Sequence, residues 1–366
     1  MQLLHVINNL TTGGAQKLVS DLAIIQSRDS DIAVSIYIWE RDNSVYEDRL
    51  RKAGVTIIHA PQKENLLSKL CTLSKVMRQF DVVHVHLFPS NYMVAVANII
   101  ARRPLVFTEH STHNRRRDHK WLKPIERMVY RAFNQISCIS EATASNLENW
   151  IGKKITQSRI TIIGNGVNIQ KYSKAEVADQ SILFGRSGTP LLMISRLTAS
   201  KDHPSVIRAI SLINNPEIFV VFAGDGERRD ELETLAKESG VEDRVVFLGN
   251  RNDIPTLIKT SAIGIQFSNW EGFGLTAIEI MAGGRPLIAS NVEGLSDVVG
   301  NAGYIVEKGD SYALANAIQR LLSDRQLYNT LQQRGEQQAR KYSIESTAQK
   351  YKKLYNFIID KTLSRD

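Results

Sequence analysis

The chain has 366 residues, 43% hydrophobic and 23% charged, too long for one core and ordinary in composition for a globular protein of two domains. No apolar run approaches the ~20 residues that cross a bilayer; the longest, near 93–101, is broken by Asn98, and the N-terminus has neither a basic start nor a cleavage pattern, so no signal peptide is expected. Cys71 and Cys138 stand alone, with no metal spacing and no redox pair, which suits a reducing compartment. The net charge of +8 is unevenly placed: residues 1–174 hold 24 Lys/Arg against 14 Asp/Glu, and the remainder 22 against 24. The basic excess of the first half points to an anionic partner: nucleic acid, a phosphate-bearing substrate or an acidic membrane surface.

In chain order, a buried strand is predicted over 3–7, a helix over 16–25, strands over 33–39 and 56–59, a helix over 65–79 and a strand over 81–86. The series continues with a helix over 91–102, a strand over 105–110, a helix over 122–133, a strand over 135–139, a helix over 141–150 and a strand over 160–163. Residues 170–188 are polar and read as an interdomain linker. A second series of strands follows at 191–194, 218–223, 245–248, 263–267, 287–289 and 304–306, and residues 312 to about 362 read as helical throughout. Near-continuous apolar strands alternating with helices predict two doubly wound α/β domains with parallel sheets. Such sheets bind ligands at the carboxyl ends of their strands, so two facing domains would place a site in the cleft between.

The richest segment runs from Asn269 to Gly284 (Asn-Trp-Glu-Gly-Phe-Gly-Leu-Thr-Ala-Ile-Glu-Ile-Met-Ala-Gly-Gly): it leaves a strand, turns through glycines and opens a helix. Free amides near Gly274 to Thr276 suit a diphosphate. Glu271, in the turn, can accept hydrogen bonds from sugar hydroxyls. Glu279, between Ile278 and Ile280, is costly to bury unless paired, and a ribose diol would supply two donors. On the carboxylates alone, this reading and simple compensation of the helix dipole stand level; the glycines favour the first. Arg196 and Lys201, after the first strand of the second series, suit a leaving diphosphate, although alone they read better as solvated surface cations. Thr11-Thr12-Gly13-Gly14-Ala15 is a glycine turn into a helix, but neither a Walker A loop nor a dinucleotide fingerprint, and Gly224-Asp225-Gly226-Glu227 lacks the third glycine, so NAD and ATP hydrolysis are discounted. His110, at a strand end, should face the cleft; His84 and His86 read as structural. Asp29 and Asp31 read as a surface turn rather than a metal site.

Gly13-Gly14-Ala15, Glu109-His110, Ser140-Glu141, Asn165-Gly166-Val167, Ser195-Arg196-Leu197 with Lys201, Gly224-Asp225-Gly226 and Glu271-Gly272-Phe273-Gly274 with Glu279 occur in an order that resembles the retaining glycosyltransferases of family four, also called glycosyl transferases group 1. The resemblance covers almost the whole chain and is strongest over 190–310. It implies a GT-B fold: an acceptor-binding Rossmann-like domain over 1–170, a nucleotide-sugar-binding one over 189–342, and a terminal helix, 343–366, crossing back to the first. It further implies that Arg196 and Lys201 bind the donor diphosphate, Glu279 the ribose and Glu271 the transferred sugar. Phe273, Gly274, Leu275 and Thr276 would cradle sugar and phosphate, Gly14 would approach the phosphate, and His110 would contact the sugar near the reacting centre. The base would lie near Asn250 and Arg251. His110, Glu271, Arg196 and Lys201 are thus the expected catalytic set. Gln16, Asn168 and Gly164 depart from the family's usual Glu, Asp and Pro, on the acceptor side.

No carboxylate nucleophile is evident, so a front-face substitution is expected, in which the leaving phosphate oxygen helps to deprotonate the acceptor; the two cations and the helix N-terminus do the work of a metal, and no metal or cofactor is expected beyond the nucleotide-sugar co-substrate. The donor suggested by the resemblance is a UDP-hexose or UDP-N-acetylhexosamine, with GDP-mannose open. Arg102, Arg103, Arg115, Arg116, Arg117, Lys120 and Lys123, interleaved with Trp121, Leu122, Ile125, Met128 and Val129, read as a basic amphipathic segment for an anionic membrane, level with an ordinary helix whose apolar face is in the core. A glycan or polyprenyl-diphosphate-linked acceptor, as in bacterial surface polysaccharide or lipopolysaccharide synthesis, fits that surface and a peripheral place on the cytoplasmic face of the inner membrane. The competing readings are a GT-B nucleotide-sugar epimerase, a phosphorylase, a non-catalytic nucleotide-sugar-binding subunit and a nucleic-acid binder; no nucleic-acid motif accompanies the basic patch.

Overall fold

The structure is a computed structural model that describes residues 1–11, 13–41, 44–111 and 114–364, without the side chains of Val45, Arg115 and Leu363. The chain divides into two units, Met1–Gly166 with Ile344–Asp366, and Val167–Ser343.

The first unit holds a seven-stranded sheet, β1 (Gln2–Ile7), β2 (Ala33–Ile38), β3 (Thr56–His59), β4 (Val82–His86), β5 (Leu105–Glu109), β6 (Gln135–Cys138) and β7 (Ile160–Ile162), in the order β3-β2-β1-β4-β5-β6-β7. All its pairs are parallel. β1 lies between β2 and β4, with His5 opposite Ile36 on one side and His84 on the other. The order reverses between β1 and β4, the point where such sheets leave a crevice at their carboxyl ends. Both faces are covered. One core gathers Leu4, Val83, Phe107, Met77 and Phe133. The other gathers Leu3, Leu22, Val82, Tyr351, Tyr355 and Ile358, so the final helix, Ile344–Leu363, packs beside the first, Gly14–Gln26. Lys352 of that final helix bonds Asp29 at 2.7 Å and Asp31 at 2.8 Å, which makes this acidic pair an anchor.

The second unit holds a six-stranded parallel sheet, β8 (Thr189–Ile194), β9 (Ile218–Ala223), β10 (Val245–Gly249), β11 (Ile263–Gln266), β12 (Leu287–Ser290) and β13 (Tyr304–Val306), in the order β10-β9-β8-β11-β12-β13. Its core centres on Leu191, Met193, Val220, Phe222, Ile265, Ile288 and Ile318. Here the reversal lies between β8 and β11. The polar stretch 170–188 is not an open linker. It carries helices Ile169–Ser173 and Gln180–Phe184 within the second unit, pinned by the buried Tyr172 and Phe184.

Two further differences are local. A helix, Val45–Lys52, fills a stretch with little apolar pattern; the Ser44 hydroxyl accepts from the Tyr46 amide, and Leu50 is its buried anchor. The C-terminal helical stretch is three helices, Ser311–Ser323, Arg325–Lys341 and Ile344–Leu363. The first break is made by Asp324, whose carboxylate accepts from the Leu327 amide at 2.9 Å.

Candidate active site

In the second unit the two strands at the switch point end in loops that are zipped together. The Ser195–Lys201 loop follows β8 and the Phe267–Gly274 loop follows β11. Lys201 forms an isolated antiparallel bridge with Ser268. The Asn269 amide donates to Ser200 O and its side chain to Ala199 O, both at 2.9 Å. The Asp202 amide donates to Phe267 O, and the Asp202 carboxylate then caps helix His203–Leu212.

This zipper brings Lys201 to Glu271. The Lys201 ammonium bonds the Glu271 carboxylate and lies 3.3 Å from Ser268 Oγ. Glu271 Oε2 also accepts from Gln266 Nε2 at 3.2 Å, and Oε1 from the Gly272 amide at 3.3 Å. Both members of the pair are only 16–20% exposed. Directly after it, Gly274 takes φ +85°, and a Cβ there would come within 2.7 Å of Leu295 Cδ1, so only glycine lets the helix Leu275–Ala282 start at this angle. The first amides of that helix have no carbonyl one turn back to bond, and they carry its positive end. Glu279 is buried at 7% exposure, one turn below Leu275 and Thr276 on the same face. Phe273 is buried, its ring edge-on to Tyr342 at 5.5 Å. Arg196 is exposed and makes no side-chain hydrogen bond or ion pair among the described residues. The structure therefore gathers Lys201, Glu271 and the opening of the Leu275 helix. Arg251 is gripped two-pronged by Asp253, with Asn250 exposed beside it.

Two supports of this site lie outside the residues singled out from sequence. Gly294 (φ +83°) crosses the backbone of the Glu271 turn so closely that a Cβ would lie 2.8 Å from Glu271 O and 2.9 Å from Gly272 O. The sequence cue for it is a lone glycine before an apolar helix, which marks a close approach. Gln266, the last residue of β11, is the other. The Gly224-Asp225-Gly226 turn also gains a purpose. Gly224 (φ +143°) would put a Cβ 2.0 Å from Ser195 O, Gly226 one 2.4 Å from Leu197 O, and the Leu197 amide donates to Asp225 O. The glycines let this turn brace the Arg196 loop from below.

In the first unit, Gly14 opens helix Gly14–Gln26 beyond the end of β1. His110 follows β5, and its Nε2 lies 3.2 Å from His86 Nδ1 at the end of β4. Burial lowers the His110 pKa to about 4, so the ring is neutral near pH 7. His5, His84 and His86 stack behind it with ring nitrogens within 4.8 Å of one another. That spacing would suit a metal, but all six of their nitrogens are already in hydrogen bonds, to Gln26, Tyr355, Thr108, His110 and one another.

The basic segment divides. Arg116 Nε donates to the fully buried Glu126 at 2.8 Å, and Arg117 Nη2 to the buried Glu109 at 2.9 Å. Arg103 donates to the Arg78 carbonyl. These three cations serve the fold, and the Arg115 side chain lies outside the described residues. Arg102 and Lys120 are exposed, and Lys123 sits over the Trp150 ring at 5.5 Å. The apolar face splits as well. Val129 is core, but Trp121 (70%), Met128 (66%) and Ile125 are exposed, as are Val96, Ile99 (74%) and Ile100 of the adjoining helix Ser90–Ala101. Among the described residues no helix is long and apolar enough to cross a membrane.

Two parallel-sheet units with a cation, a carboxylate and a helix N-terminus at the second unit's switch point define a GT-B glycosyltransferase. The crystal structure of Anabaena Alr3699/HepE in complex with UDP and glucose superposes with a TM-score of 0.84 over 97% of this chain and 99% of that one, at 20% identity. A family model for glycosyl transferases group 1 matches residues 152–338, and one for Glycosyltransferase Family 4 matches residues 12–171. The chain belongs to the glycosyl transferases group 1 family. Putative glycosyltransferase EpsD of Bacillus subtilis is 27% identical over 84% of this chain and 85% of its own length. UDP-Gal:alpha-D-GlcNAc-diphosphoundecaprenol alpha-1,3-galactosyltransferase of Escherichia coli is 27% identical over 71% of this chain and 72% of its own.

Proposed function

We propose that this glycosyltransferase is a retaining, metal-independent hexosyltransferase. It moves a hexose or N-acetylhexosamine from a UDP-sugar to a glycan or polyprenyl-diphosphate-linked acceptor at the cytoplasmic face of an anionic membrane. The observation that carries this is the cluster of Lys201, Glu271 and the open N-terminus of helix Leu275–Ala282, with Arg196, unpaired among the described residues, on the same loop as Lys201. As the glycosidic bond breaks, negative charge grows on the diphosphate, and preorganised cations and amides stabilise it most at that moment. Glu271 pairs with Lys201; an incoming diphosphate takes over the ammonium and leaves the Glu271 carboxylate to accept from sugar hydroxyls. Glu279, one turn further on, takes the ribose diol, and His110 contacts the sugar. A UDP donor is supported by the UDP in the similar Anabaena structure and the UDP-galactose in the E. coli relative's name, and that name also supports a diphosphoundecaprenol acceptor. Retention follows a front-face path in which the departing phosphate oxygen accepts the acceptor's proton.

Membrane docking rests on Trp121, Ile125, Met128, Ile99 and Ile100, exposed apolar residues flanked by Arg102 and Lys120. Incubation with a UDP-sugar panel and polyprenyl-diphosphate-linked acceptors, with NMR of the product, tests the chemistry. Transfer with the donor's anomeric configuration is expected; an inverted product refutes retention, and isomerised donor with no acceptor present makes the chain an epimerase. Sedimentation with vesicles tests the surface. Trp121→Ala with Met128→Ser should lose binding to anionic vesicles, and equal binding to neutral ones removes this part of the reading.

A further inference from the structure

The buried histidines behind His110 form one continuous hydrogen-bond ladder with a single junction. From His110 Nε2 it runs to His86 Nδ1 (3.2 Å), from His86 Nε2 to His5 Nδ1 (3.0 Å), and from His5 Nε2 to Gln26 Oε1 (2.8 Å). A second arm leaves the other end of the same amide: Gln26 Nε2 to Tyr355 OH (3.5 Å), Tyr355 OH to His84 Nδ1 (2.6 Å), and His84 Nε2 to Thr108 Oγ1 (2.6 Å). It continues from Thr108 to Tyr351 and from Tyr351 to Ser137, both at 3.0 Å. Gln26, His5, His84, His86, Thr108, Ser137, Tyr351 and Tyr355 are all buried.

A neutral imidazole donates through one nitrogen and accepts through the other, so each bond in the ladder dictates the next. An amide oxygen only accepts. His5 must therefore carry its proton on Nε2 and accept on Nδ1; His86 donates from Nε2 and accepts on Nδ1; His110 donates from Nε2. Its Nδ1, closed to solvent and without a partner among the described residues, is left as a bare acceptor. The second arm is consistent with the same amide orientation: Gln26 donates to Tyr355, which donates to His84 Nδ1, whose Nε2–H goes to Thr108. Reversing the ladder would leave an N–H, rather than a lone pair, orphaned at His110, the costlier of the two. Burial holds these rings neutral, lowering His5 to about 4 and His84 and His86 well below their ordinary value, so protonation does not scramble the order.

We infer that Gln26 is a positioning residue for His110: through His5 and His86 it fixes the His110 tautomer and leaves Nδ1 as the acceptor nitrogen of that ring. The use of that acceptor rests on the proposed role of His110 in sugar transfer; the tautomer itself does not. The two are separated by reading the tautomer in the absence of substrate, from long-range ¹⁵N–¹H correlations of histidine-labelled full-length protein, with His110→Asn to assign the signals. The expected wild-type result is Nε2–H at His5, His84, His86 and His110. Gln26→Glu, which keeps an oxygen against His5, retains the pattern. Gln26→Met, verified as folded by its amide spectrum, shifts His110 to a mixed or Nδ1–H form and lowers kcat by at least about tenfold, as a wrong histidine tautomer does elsewhere, with donor KM little changed. An Nδ1–H form of His110 in the wild type, or an unchanged tautomer in folded Gln26→Met, overturns the inference. Should Gln26→Met not fold, His5→Asn, which breaks the ladder one step nearer, carries the same test. A wild-type protein that shows the ladder yet transfers no sugar supports the inference and removes the functional reading.

Discussion

Glu126 is a fully buried carboxylate that holds an outward-facing helix in place. Its Oε1 accepts from Arg116 Nε at 2.8 Å and Tyr92 OH at 3.0 Å, and its Oε2 from Trp150 Nε1 at 2.7 Å. Helix Lys123–Arg131 buries little besides Glu126, Val129 and Tyr130, so this one side chain ties it to two neighbouring helices and to the Arg116 turn. Replacing Glu126 by alanine strands a guanidinium and two donors. Breaking a buried pair by removing one partner costs about 3–5 kcal/mol. The Arg116 side chain is 21% exposed and can turn to water, which places the expectation at the lower end, about 3 kcal/mol. Glu126→Gln keeps an acceptor but loses the charge, and neutral hydrogen bonds are roughly half as strong, so about 1.5 kcal/mol is expected. Urea unfolding followed by tryptophan fluorescence reads both, with Trp150 as reporter, and the alanine variant should also lose anionic vesicle binding. A loss under about 1 kcal/mol in Glu126→Ala, or equal losses in the two variants, would refute the view that the buried charge anchors this surface.

Glu279→Ala should weaken UDP binding by about 10- to 100-fold in calorimetry, the worth of one or two hydrogen bonds to a charged group, and unchanged affinity would break its assignment to the ribose. Glu271→Ala should instead lower turnover while UDP affinity holds or rises, since Lys201 is released to the diphosphate; a matching loss of UDP affinity counts against it. Gly224→Ala forces a Cβ into Ser195 O, so the Arg196 loop must move, and donor KM should rise without any change in the residues that touch donor. The buried histidines give a pH signature. Their folded pKa values, about 4 for His5 and His110 and held well below the ordinary 6.5 by burial for His84 and His86, mean that the unfolded chain binds more protons. Stability is complete above about pH 6.5 and falls toward pH 4, by about 1.4 kcal/mol per pH unit for each proton taken up. Urea midpoints at pH 7, 6 and 5 measure it, and a flat response would contradict the neutral, buried ladder.

Both sheets were legible because their strands are short, almost wholly apolar runs, and apolar density survives without knowledge of neighbours. The helix Val45–Lys52 was not, since among its described side chains Leu50 is the one apolar residue fully buried, and its start depends on Ser44. The donor segment was readable because its glycines, amides and carboxylates lie within one stretch of eleven residues. What that stretch concealed was its pairing: Lys201 and Glu271 are 70 residues apart and meet only because β8 and β11 are neighbours. The basic run misled for the same reason. Arg116 and Arg117 look like a charged surface, but Glu126 and Glu109 lie close enough to hold them, and burial of a carboxylate leaves no trace in composition. His84 and His86 looked structural, and so they are by burial; their contact with His5 and His110 is created by strand order alone.

The last helix supplies Tyr351, Tyr355 and Ile358 to the core of the unit that begins at residue 1. During synthesis the second unit is complete once Ser343 has left the ribosome. The first, although begun earlier, still lacks the layer that covers Thr108, Ser137 and His84. Vectorial folding, in which N-terminal domains finish first, is thus inverted for these two units: the first waits with one face of its sheet incomplete until helix Ile344–Leu363 emerges, roughly 1–4 s later at ordinary elongation rates. A chain terminated early would keep the half that holds Lys201 and Glu271 and lose the half that presents His110.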